Sequence, residues 1–222
     1  MGPLAFVGGD EWSDGCEFDA ELLKASGGSQ VLVLPTASAF ERPERKVVAA
    51  AEWFDGLGAQ VEGLMVLSRD DAQDEGAAEA VRRARFVYLS GGSALHLRSV
   101  LKGSKVWDAL REAWEGGAVV AGSSAGGMVL TDPMVDPRGG ALTVGLGLVS
   151  GLTVVPHFGD VHQDAHGEKL HRTVALAPEG LPVVGIPTRS ALVRDATGGW
   201  QAWGPVSVFV DGKAAEVSAL RS

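Results

Sequence analysis

The sequence is poor in the residues that build disulfides, cysteine-ligated metals and membrane spans. Cys16 is the single cysteine among 222 residues, so an intrachain disulfide, a cysteine-built zinc site and a redox pair are excluded and a reducing, cytoplasmic setting is expected. No window approaches the roughly 18 apolar residues that a membrane-crossing helix needs. The start, MGPLAFVGGDEW, has neither the basic segment nor the long apolar core of a secretory leader. Basic charge is scarce as well: 19 Lys and Arg stand against 28 Asp and Glu, for a net charge of -9. With no Lys/Arg-rich stretch to neutralise a phosphate backbone, nucleic acid is not an expected partner. No internal repeat, low-complexity tract or long linker divides the chain.

What remains is a hydrophobic content of 45%, enough for one sizeable core, and a single domain over residues 1–222 is expected. Short runs rich in Val and Leu alternate with segments of helical period, the pattern of an α/β fold whose parallel sheet is covered by helices on both faces. The runs are Leu4 to Gly8, Val31 to Pro35, Val61 to Leu67, Phe86 to Leu89, Ala118 to Gly122, Thr153 to Pro156 and Pro182 to Pro187. Helices are expected over Glu17 to Ser26, Pro43 to Gly56, Ala72 to Ala84, Ser93 to Leu101, Val106 to Gly116 and His166 to Ala177. After Gly198 the pattern changes to short runs punctuated by GGW, WGP and VDGK. It is read as a C-terminal extension, from about residue 190, adding antiparallel strands to the same sheet.

The most informative segment is Gly122-Ser-Ser124-Ala-Gly126, which follows an apolar strand and precedes the run Met128 to Leu130. Gly-x-Ser-x-Gly between strand and helix is the nucleophile-elbow pattern, in which small neighbours let a strained turn raise the Ser124 side chain above the strand's carboxyl end. The same turn puts the Ala125 N–H at a helix start, where it can stabilise a developing oxyanion. A serine-rich helix cap is the plain alternative. A second strand, ending in Ser90-Gly91-Gly92 before another helix, offers the Gly92 N–H as a further oxyanion donor, the alternative here being an ordinary tight turn. Loops at the carboxyl ends of neighbouring parallel strands converge on one crevice, so these two can face each other.

A serine hydroxyl needs a base within hydrogen-bond reach. Of five histidines, His157 directly follows the strand Thr153 to Pro156 and projects toward the same crevice. His96 reads as packing or surface, and His162, His166 and His171 lie in a polar stretch. For the carboxylate that orients the imidazole, Asp132, Asp136, Asp160 and Asp164 are all open. His162 and His166 have HxxxH spacing, but the HExxH signature is absent and neither metal nor cofactor is expected.

Taken in order, VLVLPTAS, VYLSGG, AGSSAGGMVLTDPMVDP, GLGLVSG, VVPHF, APE and VVGIP resemble the dipeptidase E and cyanophycinase family of serine peptidases over most of the chain. The resemblance implies a three-layer, flavodoxin-like sandwich related to class I glutamine amidotransferases, with a serine nucleophile and no metal. By motif it assigns Ser124 as nucleophile, His157 as base, and Gly91 and Gly92 as the oxyanion loop. The family's acidic residue after the late strand has no counterpart in Gly185-Ile-Pro-Thr188, where Thr188 stands instead. The resemblance also offers an aspartate after the elbow helix as third member, and the TDPM stretch puts Asp132 there. The expected activity is hydrolysis of short peptides through an acyl-enzyme. The alternatives are a cyanophycinase-like isopeptidase or small amide or ester hydrolase, and a non-catalytic binder on a peptidase scaffold. Exposed sheet edges make a homodimer possible.

Overall fold

The computed structural model describes residues 1–160 and 168–220. The chain runs β1 (Leu4–Val7), α1 (Phe18–Ser26), β2 (Gln30–Leu34), α2 (Pro43–Gly56), β3 (Gln60–Gly63), α3 (Glu75–Arg83) and β4 (Phe86–Leu89). It continues through α4 (Ala94–Leu101), α5 (Lys105–Glu115), β5 (Val119–Ser123) and α6 (Ala125–Val129). Two small ribbons follow, in which β6 (Thr131–Asp132) pairs with β9 (Val149–Ser150) and β7 (Met134–Val135) with β8 (Leu142–Thr143). Last come β10 (Thr153–Pro156), α7 (Glu168–Leu176), β11 (Val183–Ile186), β12 (Ala191–Arg194), β13 (Trp200–Trp203), β14 (Ser207–Val210) and β15 (Lys213–Ala215).

Local chemistry accounts for several boundaries. Pro43 opens α2 at a position where its missing N–H costs nothing. Asp74, Ser93 and Ser104 cap α3, α4 and α5 by accepting from the N–H groups of Ala77, His96 and Trp107. Gly27 closes α1 in the left-handed conformation, with φ 62°.

The main sheet has seven strands in the order β13-β12-β1-β5-β4-β2-β3. β1, β5, β4, β2 and β3 are parallel, while β12 and β13 join antiparallel. Alternation along each strand divides the core between two faces. Ala5, Val7, Val31, Val33, Phe86 and Tyr88 pack with Phe18 and Leu22 of α1 and with Ala50 and Phe54 of α2. Leu4, Phe6, Leu32, Leu34, Val87 and Leu89 face the opposite layer, which includes Leu97, Leu110, Met128 and Val129. This is a three-layer sandwich around a mainly parallel sheet. Along α2, Ala50 and Phe54 are the buried positions. Trp53 lies beside them only partly buried, and its indole N–H donates to Asp19.

Two expectations about pairing require correction. β10 and β11, anticipated in the main sheet, form a second four-stranded sheet with β14 and β15 in the order β10-β11-β14-β15. The C-terminal strands are accordingly divided, β12 and β13 extending the main sheet and β14 and β15 the second. The physical reason lies in what each strand covers: Val154, Val155, Val183, Val184, Ile186 and Val208 are buried in the same apolar cluster as Met128, Met134 and Leu148. β10 packs on α6 and on the ribbon strands β6 and β7, while both edges of β1 are already taken by β5 and β12.

Candidate active site

In the main sheet β5 lies between β1 and β4, and the loops leaving the carboxyl ends of all three border one cleft. The cleft has a volume of about 360 Å³ and is lined by Asp10 and Glu11 after β1, Gly91 and Gly92 after β4, and Ser124 after β5, together with Ser38, Glu41, Lys46 and His157. The parallel register Val7↔Ser123 sets the end of β1 beside the elbow, and the Ser124 N–H donates to the Val7 carbonyl at 2.9 Å.

Ser124 has φ 48° and ψ -109°, a conformation no regular element uses, and α6 starts at the next residue. The flanking glycines make this turn possible. A Cβ on Gly126 would lie 2.3 Å from the Leu89 carbonyl oxygen, and one on Gly122 would lie 2.5 Å from the Gly126 carbonyl carbon. Only hydrogen at both positions lets α6 start against β4 and β5.

His157 arrives from the other sheet. Its N–H donates to the Gly8 carbonyl at 2.8 Å, tying the end of β10 to the end of β1, and its φ of 57° turns the side chain into the cleft. The ring lies so close to Gly9 that a Cβ there would be 2.2 Å from His157 Cε1. His157 Nε2 is 2.8 Å from Ser124 Oγ. With the ring proton on Nδ1, Nε2 accepts the serine hydroxyl. Burial lowers the His157 pKa below its ordinary value, and it outweighs the opposing pull of Asp10, Asp160 and Glu11. Nδ1 is buried and has no hydrogen-bond partner among the described residues.

The two oxyanion candidates flank Ser124. Ala125 begins α6, where the first N–H groups have no intrahelical acceptor. Gly92 holds φ 143° on the loop opposite, which Ser93 N–H pins to the Ala37 carbonyl at 2.7 Å and Ser38 Oγ pins to the Gly91 carbonyl at 2.7 Å. Gly91 differs from Gly92 because its N–H is taken by Glu11 Oε1 at 3.1 Å.

With this geometry, the sequence matches Peptidase family S51 over residues 9–198. The chain belongs to peptidase family S51. Among its relatives is a cyanophycinase from Synechococcus elongatus, 26% identical over 93% of this chain; the match spans 66% of that protein's length, just under two thirds. A crystal structure of a peptidase from an acI-B1 Actinobacterium superposes with a TM-score of 0.82 at 28% identity, covering 97% of this chain and 96% of the other. A structure from Listeria monocytogenes, at 19% identity and a TM-score of 0.66 over 95% of this chain, shares the fold.

Within this S51 chain the expected third member is not brought to the base. Asp132 is exposed on the ribbon strand β6, and its Oδ1 accepts the Gly145 N–H at 3.1 Å. Asp136 is spent on Arg138, whose side chain donates to both of its oxygens. Asp160 follows His157 closely, its N–H donating to the His157 carbonyl at 3.0 Å. Asp164 and the HxxxH pair His162 and His166 lie outside the described residues. His96 uses Nε2 on the Leu67 carbonyl at 2.9 Å, away from the cleft residues. Asp132→Asn is therefore expected to change kcat/KM by less than about threefold, against the roughly 10⁴-fold loss that follows from removing a carboxylate that orients the base; steady-state kinetics of the two proteins decide.

Glu11 and Lys46 were not anticipated. Glu11 carries three hydrogen bonds inside the cleft, one of them an ion pair to Lys46. A signal was present in Gly8-Gly9-Asp10-Glu11, since a double glycine followed by two carboxylates at the end of the first parallel strand obeys the same strand-end rule that located Ser124 and His157. Lys46 comes from α2, and no local pattern points it at the site.

Proposed function

We propose that the protein is a serine peptidase that hydrolyses short peptides through an acyl-enzyme. The reading rests on the 2.8 Å contact between Ser124 Oγ and His157 Nε2 at a strained elbow. Ser124 Oγ attacks the peptide carbonyl carbon as its proton passes to His157 Nε2, and the N–H groups of Gly92 and Ala125 hold the oxyanion. Collapse breaks the C–N bond, and the leaving amine takes the proton from His157. Water then attacks the acyl carbon while giving a proton to the same nitrogen, which releases the acid and restores Ser124. Membership of a peptidase family supports peptides as substrates.

A second reading is isopeptide cleavage, as in the cyanophycinase relatives. Along the cleft Glu11 is paired with Lys46 and Asp10 with Arg189, which leaves Glu41 as the lining carboxylate outside these ion pairs. Incubation with α- and β-linked aspartyl dipeptides, followed by mass spectrometry of the products, separates the two. Cleavage of α-linked peptides supports the first reading. Cleavage confined to β-linked ones moves the activity to the second, and no cleavage of either rejects both. Action in the cytoplasm, and a homodimer paired through the edge strands β3 or β13, belong to the same proposal; sedimentation velocity tests the dimer. Among the described residues no helix is long and apolar enough to cross a membrane.

The pH dependence follows from the base. His157 must be neutral to accept a proton, and burial holds its pKa below the ordinary 6.5. The acidic limb of kcat/KM is therefore expected to have its midpoint below pH 6.5, with activity falling as the pH drops through the folded-state value. The linkage has the same sign for stability. Unfolding restores the higher pKa, so the unfolded chain binds the proton first and the stability present above pH 6.5 is lost as the pH falls through the folded value. An acidic limb centred above 6.5 contradicts this account.

A further inference from the structure

The loop after the first strand carries a buried carboxylate, Glu11, bonded to the two turns that hold the proposed oxyanion donors. The Glu11 side chain is 5% exposed. Its Oε1 accepts from the Gly91 N–H at 3.1 Å and from Lys46 Nζ at 2.8 Å, and its Oε2 accepts from Ser123 Oγ at 2.8 Å. Gly91 precedes Gly92 on the β4 loop, and Ser123 precedes Ser124 at the end of β5. One buried side chain from the β1 loop thus joins the residue before each oxyanion or nucleophile position.

The chemistry of these contacts explains why the group is a carboxylate. Two acceptor oxygens with about four lone-pair sites can serve three donors from different directions at once, which no neutral side chain of this length does. A buried carboxylate lacking partners would be strongly destabilising, so its presence depends on Lys46 and the two hydrogen bonds. Burial alone would push the Glu11 carboxyl up, but Lys46 and Ser123 overcome it and hold the group below the ordinary carboxylate value, ionised at neutral pH. The arrangement has two effects on the site. Gly91 N–H is withdrawn from any role toward substrate, which leaves Gly92 as the donor on this loop. Ser123 Oγ is also held on Glu11, away from competition with Ser124 for His157.

We infer that Glu11 is a positioning residue, which fixes the Gly91–Gly92 loop against the Ser123–Ser124 turn so that the Gly92 and Ala125 N–H groups are set for the oxyanion before substrate arrives. The inference rests on the serine-peptidase reading. It extends that reading to a group that touches no reacting atom.

The test is the kinetics of labelling by a fluorophosphonate, whose phosphonyl oxygen occupies the oxyanion position once Ser124 attacks phosphorus and expels fluoride. The maximum labelling rate is a property of each folded site, whereas the final extent of labelling counts folded sites. Glu11→Gln keeps the shape and one acceptor oxygen, and is expected to slow the maximum rate about tenfold. Glu11→Ala removes both arms and is expected to slow it about 100-fold, the scale of losing an oxyanion donor. In both, the half-saturating probe concentration should stay within about twofold. Unchanged rates with a lower extent of labelling would show that Glu11 serves folding alone and overturn the inference. So would an unchanged maximum rate with a raised half-saturating concentration, which marks direct contact with the probe. If Glu11→Ala does not fold, Glu11→Gln decides by the same two criteria. A wild-type protein that is not labelled, or one labelled equally after Ser124→Ala, rejects the peptidase reading and this inference with it, whereas a labelled wild type with an equally fast Glu11→Gln rejects the inference only.

Discussion

Replacing Ser124 by alanine is expected to lower peptide hydrolysis by about 10⁴- to 10⁶-fold while leaving the protein folded. The magnitude follows from the chemistry. Without Oγ there is no covalent intermediate, and His157 can at best activate a water that nothing positions; what survives is the acceleration from substrate binding and the oxyanion donors. The fold should be indifferent because the turn is held by its backbone. Ser124 N–H donates to Val7 and its carbonyl accepts from Met128 at 2.9 Å, and neither contact uses the hydroxyl. Product formation from the best dipeptide substrate, read beside a thermal melt, checks both halves. Undiminished hydrolysis in a folded Ser124→Ala protein would remove the nucleophile from the mechanism.

The same variant bears on the third reading, a binding protein on a peptidase scaffold. That reading began from Thr188, which stands where the resemblance calls for an acid. In the structure Thr188 is partly exposed and its carbonyl receives the Ser190 hydroxyl at 3.3 Å. An idle scaffold has no requirement to keep Ser124 Oγ on His157 Nε2 or to keep a non-glycine residue at φ 48°, a conformation that costs on the order of 1–3 kcal/mol. Retention of that strain together with the contact favours an enzyme, and labelling of wild-type Ser124 by a fluorophosphonate would exclude the binder.

Much of this could be read from the residues in order, and what could not has a common cause. Helix α2 runs over the expected span because its start depends on Pro43 and its buried stripe on Ala50 and Phe54, all local signals. Ser124 and its glycines were legible for the same reason, since strand, turn and helix are adjacent in the chain. The placement of His157 in the cleft followed from its position at a strand end, although the strand belongs to the second sheet. Periodicity identifies a strand and not its neighbour, so the division of β10, β11, β14 and β15 from the main sheet was hidden until packing decided it. Asp132 shows the limit of a motif taken alone. The resemblance offered an aspartate after the elbow helix, but in the ribbons β6 to β9 its carboxyl accepts from the Gly145 N–H. Glu11 is separated from Gly91 and Ser123 by 80 and 112 residues, and such a contact is specified only by the order of strands in the sheet.

Gly92→Ala is expected to reduce kcat by about 10²- to 10³-fold, the cost of one oxyanion donor, with a smaller effect on KM. Two features of the structure force the loss. The residue holds φ 143°, which an L side chain rarely adopts, and a Cβ would stand 2.4 Å from the Ala37 carbonyl oxygen and 2.5 Å from its carbon. Those are backbone atoms of the turn at Thr36–Ser38, which cannot rotate out of the way as a side-chain tip could. The Gly91–Gly92 loop must therefore lift from that turn, straining the Ser93 N–H bond to Ala37 and the Ser38 hydroxyl bond to Gly91, and the Gly92 N–H moves with it. Gly91→Ala provides the contrast, because its Cβ would meet Glu11 Oε1 and Ser124 Cβ at 3.4 Å, ordinary contact distances, and its kcat should fall far less. Equal kcat losses in the two variants would mean that crowding of the cleft matters more than the Gly92 donor, and the oxyanion would then have to be assigned to other groups. A kcat loss confined to Gly92→Ala, with Ser124 still labelled to completion but slowly, is the result that the geometry requires.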